Sequence, residues 1–197
     1  MRKTRSLDAA YFEGLYQADP DPWKFETSAY EAQKYTATVA AIAQEPVERG
    51  FEMGCSIGVL TERLAPLCAR LVATELSQRA LDLARRRCAG QPHIDFVLAK
   101  TMTDGIDGTF DLMLLSEVVY YWDDRDMADV ATAISAHLGV GGRLVLVHWL
   151  GETDYPRSAD DAVEALFRLL SEDVVIAAQA RTDAYRMDIW RRRARPS

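Results

Sequence analysis

Short apolar runs alternate along the chain with stretches in which apolar residues recur every three or four positions, the period of an amphipathic helix. The apolar run 50–53 predicts a strand, and Leu60, Leu64 and Leu67 then share one face of a helix over 59–67. The rhythm continues as strand 71–75, helix 78–89, strand 94–98, strand 109–115, helix 124–138, strand 143–148 and helix 160–170. Two alternating runs, 173–180 and 184–192, read as a β-hairpin, with Tyr185, Met187 and Ile189 set against Arg186, Asp188 and Trp190. Strand–helix alternation predicts an α/β fold of Rossmann-like type: a mostly parallel sheet, right-handed crossovers and ligands at the carboxyl ends of the strands. The unbroken apolar run 109–115 is expected in a sheet covered on both faces. Glycines between 139 and 142 are expected to end the preceding helix.

Upstream, Leu7, Ala10, Tyr11, Gly14 and Leu15 predict a short helix over 7–18, broken by Asp19-Pro-Asp-Pro-Trp23. A second helix is expected from its N-cap Ser28 to about Gln44, stopped by Pro46.

Composition narrows the function classes. At 197 residues, with 49% hydrophobic and 27% charged residues, the chain reads as one globular domain. A net charge of -7 argues against nucleic acid as a partner and tilts toward cationic or neutral ligands. The basic runs 85–87 and 191–195 accordingly read as a solvated helix face and a solvated terminus. Three cysteines without a C-x-x-C pair and three histidines without ligand spacing indicate neither a disulfide framework nor a metal site, and fit a reducing cytoplasm. No apolar core follows the basic start 1–6, and no apolar run approaches the roughly 18 residues of a membrane span, so a soluble protein is expected.

The segment Phe51-Glu-Met-Gly-Cys-Ser-Ile-Gly58 joins the first predicted core strand to its helix. Gly54 allows close approach of a ligand to the backbone, Gly58 allows close packing where the helix begins, and helix N–H groups stand free beside them. Glu75, followed by Leu76 and the predicted N-cap Ser77, closes the next strand, where an acid is placed to accept from both hydroxyls of a ribose. A dinucleotide site requires G-x-G-x-x-G, but Ser56 holds the position of the middle glycine, and Glu52 before the turn would repel phosphate. Glu52 can instead hold the cationic amino group of a methionine moiety, which favours S-adenosylmethionine over a nicotinamide dinucleotide.

Glu52-Met-Gly-Cys-Ser-Ile-Gly58 with Glu75 resembles the first motif and following acidic position of class I S-adenosylmethionine-dependent methyltransferases. Asp21-Pro-Trp23, Tyr30-Glu-Ala-Gln-Lys-Tyr35, Gly54-Cys-Ser-Ile-Gly58 and Leu115-Ser-Glu-Val-Val-Tyr-Tyr121 are similar to the nodulation-protein-S group within them. The resemblance runs from about Tyr11 to Trp190. It implies a seven-stranded sheet with an antiparallel C-terminal hairpin, and N-methylation of the free amine of a deacetylated chitooligosaccharide. A single methyltransferase domain is expected, with an N-terminal helical lid over 1–45, a cofactor core over 46–150, and an acceptor loop and hairpin over 151–197. A monomer or weak dimer is expected.

Cofactor contacts are expected from Glu52, Gly54, Cys55, Ser56, Gly58, Glu75 and Leu76. Trp23 either closes over the adenosyl group or anchors the core. Lys34 either meets the methionine carboxylate or is an exposed helix lysine. After the third strand, such methyltransferases commonly place an acid beside the adenine amino group. Lys100 stands there instead, so adenine contacts are expected from backbone groups or Thr101. Ser116 and Glu117 are expected to meet cofactor and acceptor. Glu117 and His148 are candidate bases for the amine, and Tyr120 their hydrogen-bond partner. Tyr121 and Trp149 are candidate faces for a sugar ring, with packing as the alternative for the aromatic run, and His148 either contacts the acceptor or orients a neighbour. The alternatives are a methyltransferase for another small amine or hydroxyl, and a binder of the cofactor that performs no transfer.

Overall fold

The computed structural model describes residues 2–101 and 103–194, in two compact units. The first spans Asp8–Gly105 and holds α1 (Ala9–Ala18), α2 (Ala29–Ile42), β1 (Val47–Met53), α3 (Val59–Leu64), β2 (Cys68–Glu75), α4 (Gln78–Arg87) and β3 (Ile94–Leu98). β1 pairs in parallel with β2, Met53 opposite Thr74, and β2 with β3, Glu75 opposite Leu98. Both strands therefore end together, and the turns that follow them share one edge. Serines cap two of the helices as expected: Ser28 accepts from Glu31 N–H and Ser77 from Ala80 N–H.

Helix α1 begins after the cap Asp8 and buries Phe12 and Tyr16, not the face of Ala10, Tyr11, Gly14 and Leu15 that the spacing predicts. The aromatic pair lies one turn apart and removes more apolar surface from water than the smaller residues would. Helix α3 is shorter than predicted; Pro66 lies in a 3₁₀ turn over Ala65–Leu67 that leads into β2.

Gly58 caps α3 in the left-handed region, with φ 82°. A Cβ there would lie 2.9 Å from Ala84 Cα, so the glycine is required both by conformation and by the close approach of α4. Gly58→Ala is expected to cost about 2–4 kcal/mol, from left-handed strain plus overpacking, read as a lower denaturation midpoint with unchanged slope.

The second unit comprises residues 1–7 and 106–197, of which 2–7 and 106–194 are described. It holds β4 (Phe110–Ser116), α5 (Asp124–His137), β5 (Leu138–Trp149), α6 (Ala159–Leu170), β6 (Val174–Arg181) and β7 (Tyr185–Arg192). β4 is parallel to β5; β7 pairs antiparallel with β5 and with β6, giving the order β4-β5-β7-β6 within this unit. Leu112, Met113, Leu114 and Leu115 are fully buried, as the unbroken apolar run requires. The described strands number seven, mostly parallel with an antiparallel C-terminal hairpin, as the resemblance implies.

In this unit two further expectations change. The glycines after α5 do not form a separate stop: the helix passes straight into β5, whose register jumps from Phe110↔Leu138 to Leu112↔Arg143, so 139–142 bulge from the strand. Arg191 and Arg192 are not a solvated tail: they end β7, and Arg192 is buried against Asp173 at 2.7 Å, while Arg193 is exposed with its Nε donating to Val174 O. Arg195, the last of that run, lies outside the described residues, as does Met1 of the basic start.

Candidate functional site

Within the first unit, the turn after β1 places Gly54, Ser56 and Gly58 at φ 73°, 52° and 82°. A serine in the left-handed region needs outside support. Ser56 receives it twice: its N–H donates to Glu75 Oε2 at 2.9 Å, and its hydroxyl lies 2.5 Å from the Tyr16 hydroxyl of α1. Cys55 is buried and its N–H donates to Thr74 O at 2.8 Å, tying the turn to β2. Arg87, predicted to be merely solvated, donates from Nε to Ile57 O at 3.0 Å and pairs with Glu26.

Glu75 gathers three N–H groups, from Leu76 and Ser77 on Oε1 and from Ser56 on Oε2. A carboxylate has about four lone-pair sites, so roughly one remains for a ligand hydroxyl, where the sequence suggested two. Burial pushes the Glu75 carboxyl up, against the three N–H bonds that favour its charge. Glu13 of α1 accepts from the Ser77 hydroxyl at 2.6 Å, a second tie between α1 and this turn.

Glu52 is 2% exposed, and its Oε2 has no hydrogen-bond partner. Burial raises its carboxyl to about 7, with the Thr61 hydroxyl acting in the opposite direction. A folded value above the ordinary 4.5 means that Glu52 contributes most stability below pH 4.5, and that this is lost as pH rises through about 7. The stability of wild type relative to Glu52→Gln is therefore expected to fall by up to about 3 kcal/mol across that window, measured by urea denaturation at stepped pH.

Lys34 is not an exposed helix lysine: it is 1% exposed, 3.0 Å from Glu31, with Tyr30 and Tyr35 rings 5.1 and 5.8 Å from its Nζ. Trp23 is half-buried, edge-on to Tyr16 at 5.7 Å and stacked on Phe25 at 5.6 Å. After β3, the Thr101 hydroxyl donates to Asp104 Oδ1 at 2.8 Å, while Asp104 Oδ2 accepts from Lys100 and Thr101 N–H. The Asp104 carboxylate thus folds back onto the backbone of Lys100 and Thr101. Sequence reading missed Asp104, whose only signal is its place four residues beyond Lys100; Met102 lies outside the described residues.

In the second unit, Glu117 follows β4 with φ 60°, an uncommon conformation for a non-glycine residue. Its N–H donates to Val147 O, and its Oε2 accepts from the Tyr120 hydroxyl at 2.5 Å and from Trp149 N–H at 2.9 Å. Burial, and next the Glu117 charge, push the Tyr120 hydroxyl well above its ordinary range, so it stays a donor. His148 is fully buried; its Nε2 accepts from Val119 N–H at 3.2 Å and its ring lies edge-on to Tyr120 at 5.2 Å. Tyr155, in the loop between β5 and α6, stacks on Tyr120 at 5.3 Å and meets Tyr121 edge-on at 4.8 Å. Trp149 is 40% exposed and packs its ring over Gly151. Ser116 ends β4 half-buried, opposite Val147. The N-terminal segment is also engaged: Lys3 bonds to Asp154 through backbone and side chain, and Leu7 N–H donates to Tyr121 O.

The family profile of nodulation protein S matches residues 15–145. The chain belongs to the nodulation protein S family. It is 32% identical over 118 residues to nodulation protein S of Sinorhizobium fredii, covering 59% of this chain and 54% of that protein. It is 33% identical over 130 residues to that of Rhizobium tropici, covering 65% and 55%. The chain thus spans about half the length of these curated relatives. Among solved structures, the N-methyltransferase NodS of Bradyrhizobium japonicum WM9 in complex with S-adenosyl-L-homocysteine superposes with TM-score 0.77 at 22% identity, covering 94% of this chain and 99% of that one. A putative methyltransferase from Pseudomonas syringae gives 0.70 at 30% identity, covering 84% and 100%. The family match includes the glycine turn, Glu75 and Glu117, and ends before His148, Trp149 and Tyr155.

Proposed function

We propose that the chain is an S-adenosylmethionine-dependent methyltransferase that N-methylates the free amine of an amino sugar or deacetylated chitooligosaccharide. The observation that carries this reading is Glu117, a carboxylate held by a tyrosine hydroxyl and a backbone N–H on a left-handed backbone. The first unit fits the cofactor: a buried carboxylate oxygen at Glu52 without a partner suits a cationic amino group, and two buried acids disfavour a pyrophosphate. Glu52 would face that amino group and Glu75 the ribose. Gly54, Cys55, Ser56, Gly58 and Leu76 would form the turn around it, with Thr101 and Asp104 at the adenine. Trp23, Lys34 and Ser116 complete the assignment.

The cofactor supplies an electrophilic methyl on a positively charged sulfur. The chain's own task is to hold the acceptor and remove its proton. Glu117 takes the amine proton, while Tyr120 and Trp149 N–H keep the carboxylate in place. His148 acts as a positioning residue: its Nε2 holds Val119 and with it the 3₁₀ turn that carries Tyr120. Tyr121 and the exposed Trp149 ring offer flat faces to a sugar. We assign 1–45 as a lid, 46–150 as the cofactor core and 151–197 as the acceptor region, in a monomer or weak dimer. A cytoplasmic location suits three buried cysteines, and among the described residues no helix is long and apolar enough to cross a membrane.

The test is mass spectrometry of acceptors after incubation with S-adenosylmethionine. Glucosamine oligomers are expected to gain an N-methyl group, and their fully acetylated counterparts none. Methylation of the acetylated oligomers would move the reaction to a hydroxyl. Cofactor binding without transfer across amines, sugars and hydroxyls would leave a non-catalytic binder.

A further inference from the structure

A cavity of about 210 Å³ lies between α6 and the β6–β7 hairpin, outside the residues that the family profile matches. Arg186, Asp188 and Trp190 of β7 line it from one strand face, Ile176 and Gln179 from β6, and Phe167 from α6. Its polar wall is fixed: Arg186 donates to both oxygens of Asp188 at 2.8 and 2.9 Å and to Asp160 at 2.7 Å, and Gln179 donates to Asp188 at 2.6 Å. Its apolar wall is aromatic, with the Phe167 and Trp190 rings 5.1 Å apart, and Ile176 is 46% exposed. Trp190 is 1% exposed and its indole Nε1 has no acceptor.

We propose that this cavity binds one pyranose ring of a neutral saccharide, a foothold for a part of the acceptor that does not react. The class of ligand rests on the oligosaccharide reading above; the cavity chemistry agrees with it independently. The half-buried Phe167 ring and the exposed Ile176 side chain offer apolar surface to the C–H side of a sugar ring, while the remaining N–H groups of Arg186 and the exposed Gln179 amide offer hydrogen bonds to its hydroxyls. Arg186 and Arg181 share Asp160, and Arg186 also holds Asp188, so two guanidinium groups meet two carboxylates, and the lining adds Glu164 and Arg168, one of each sign; the wall selects no strongly charged ligand. The strand also points the right way: Arg186 pairs with His148 and Trp190 with Leu144, so the cavity follows β7 away from the carboxyl end of β5. Binding a remote sugar there would anchor the acceptor without touching the reacting amine.

The probe is tri-N-acetylchitotriose, which has no free amine to methylate. In the ¹H–¹⁵N spectrum of the full chain, four tryptophan indole resonances are available and Trp190→Phe identifies one of them. Titration is expected to move the Trp190 resonance, and Ile176→Asp, a change at an exposed position, to weaken saccharide binding by about tenfold with cofactor affinity unchanged. A Trp190 resonance that stays still, or an Ile176→Asp protein that binds the saccharide as wild type does, overturns the proposal. The two readings fail separately: N-methyl transfer with a silent Trp190 removes the cavity and keeps the activity, and a responsive Trp190 without transfer does the reverse.

Discussion

Glu117→Gln is expected to lower turnover of an amine acceptor by roughly 10²–10⁴-fold, the usual contribution of a positioned general base. Glutamine keeps the size of the side chain and an oxygen that can accept from Tyr120 or Trp149 N–H, so the fold should survive. What it loses is the ability to take a proton. Cofactor affinity, measured by calorimetry, should change little, which separates the chemical step from binding. Tyr120→Phe should fall between the two proteins, because it frees the carboxylate without removing it. An unchanged turnover number in Glu117→Gln would take Glu117 out of the reaction.

The second large effect is expected at Glu75. Its two oxygens accept from Ser56, Leu76 and Ser77 N–H, and its isosteric replacement by glutamine turns an NH₂ group toward one of those donors. The cost combines a lost charge-assisted bond with an unsatisfied buried N–H, offset in part by relief from burying a charge, and should come to about 2–4 kcal/mol. Because Ser56 depends on Glu75 for its left-handed conformation, cofactor affinity should fall with stability, by about 10- to 100-fold. Urea denaturation and calorimetry on one preparation measure both. Wild-type stability together with wild-type affinity would show that Glu75 does not organise the turn.

The features legible in the sequence are those encoded by neighbours. Strand β4 announces itself by an unbroken apolar run, the serine caps by their place before helical periods, and the turn by Gly54, Gly58 and an acid one strand later. Residues whose partners are distant were not legible. Tyr16 reaches Ser56 across 40 positions, and Arg87 reaches Ile57 across 30. In α1 the spacing of small apolar residues outvoted Phe12 and Tyr16, although aromatic burial decides which face turns inward. The glycines after α5 carry the chemistry of a helix stop, yet pairing of β5 with β4 and β7 absorbs them into a bulged strand. In the second unit, Glu117 stood in a familiar motif, whereas Tyr155 is visible only because its loop folds back onto Tyr120.

The most direct test is calorimetric titration of the purified chain with S-adenosylmethionine and, separately, with a nicotinamide dinucleotide. Saturable binding of one sulfonium nucleoside per chain, weakened by Glu52→Gln and absent for the dinucleotide, is the expected result. No heat with the sulfonium compound, or equal binding of the dinucleotide, would contradict the assignment of the glycine turn and both carboxylates.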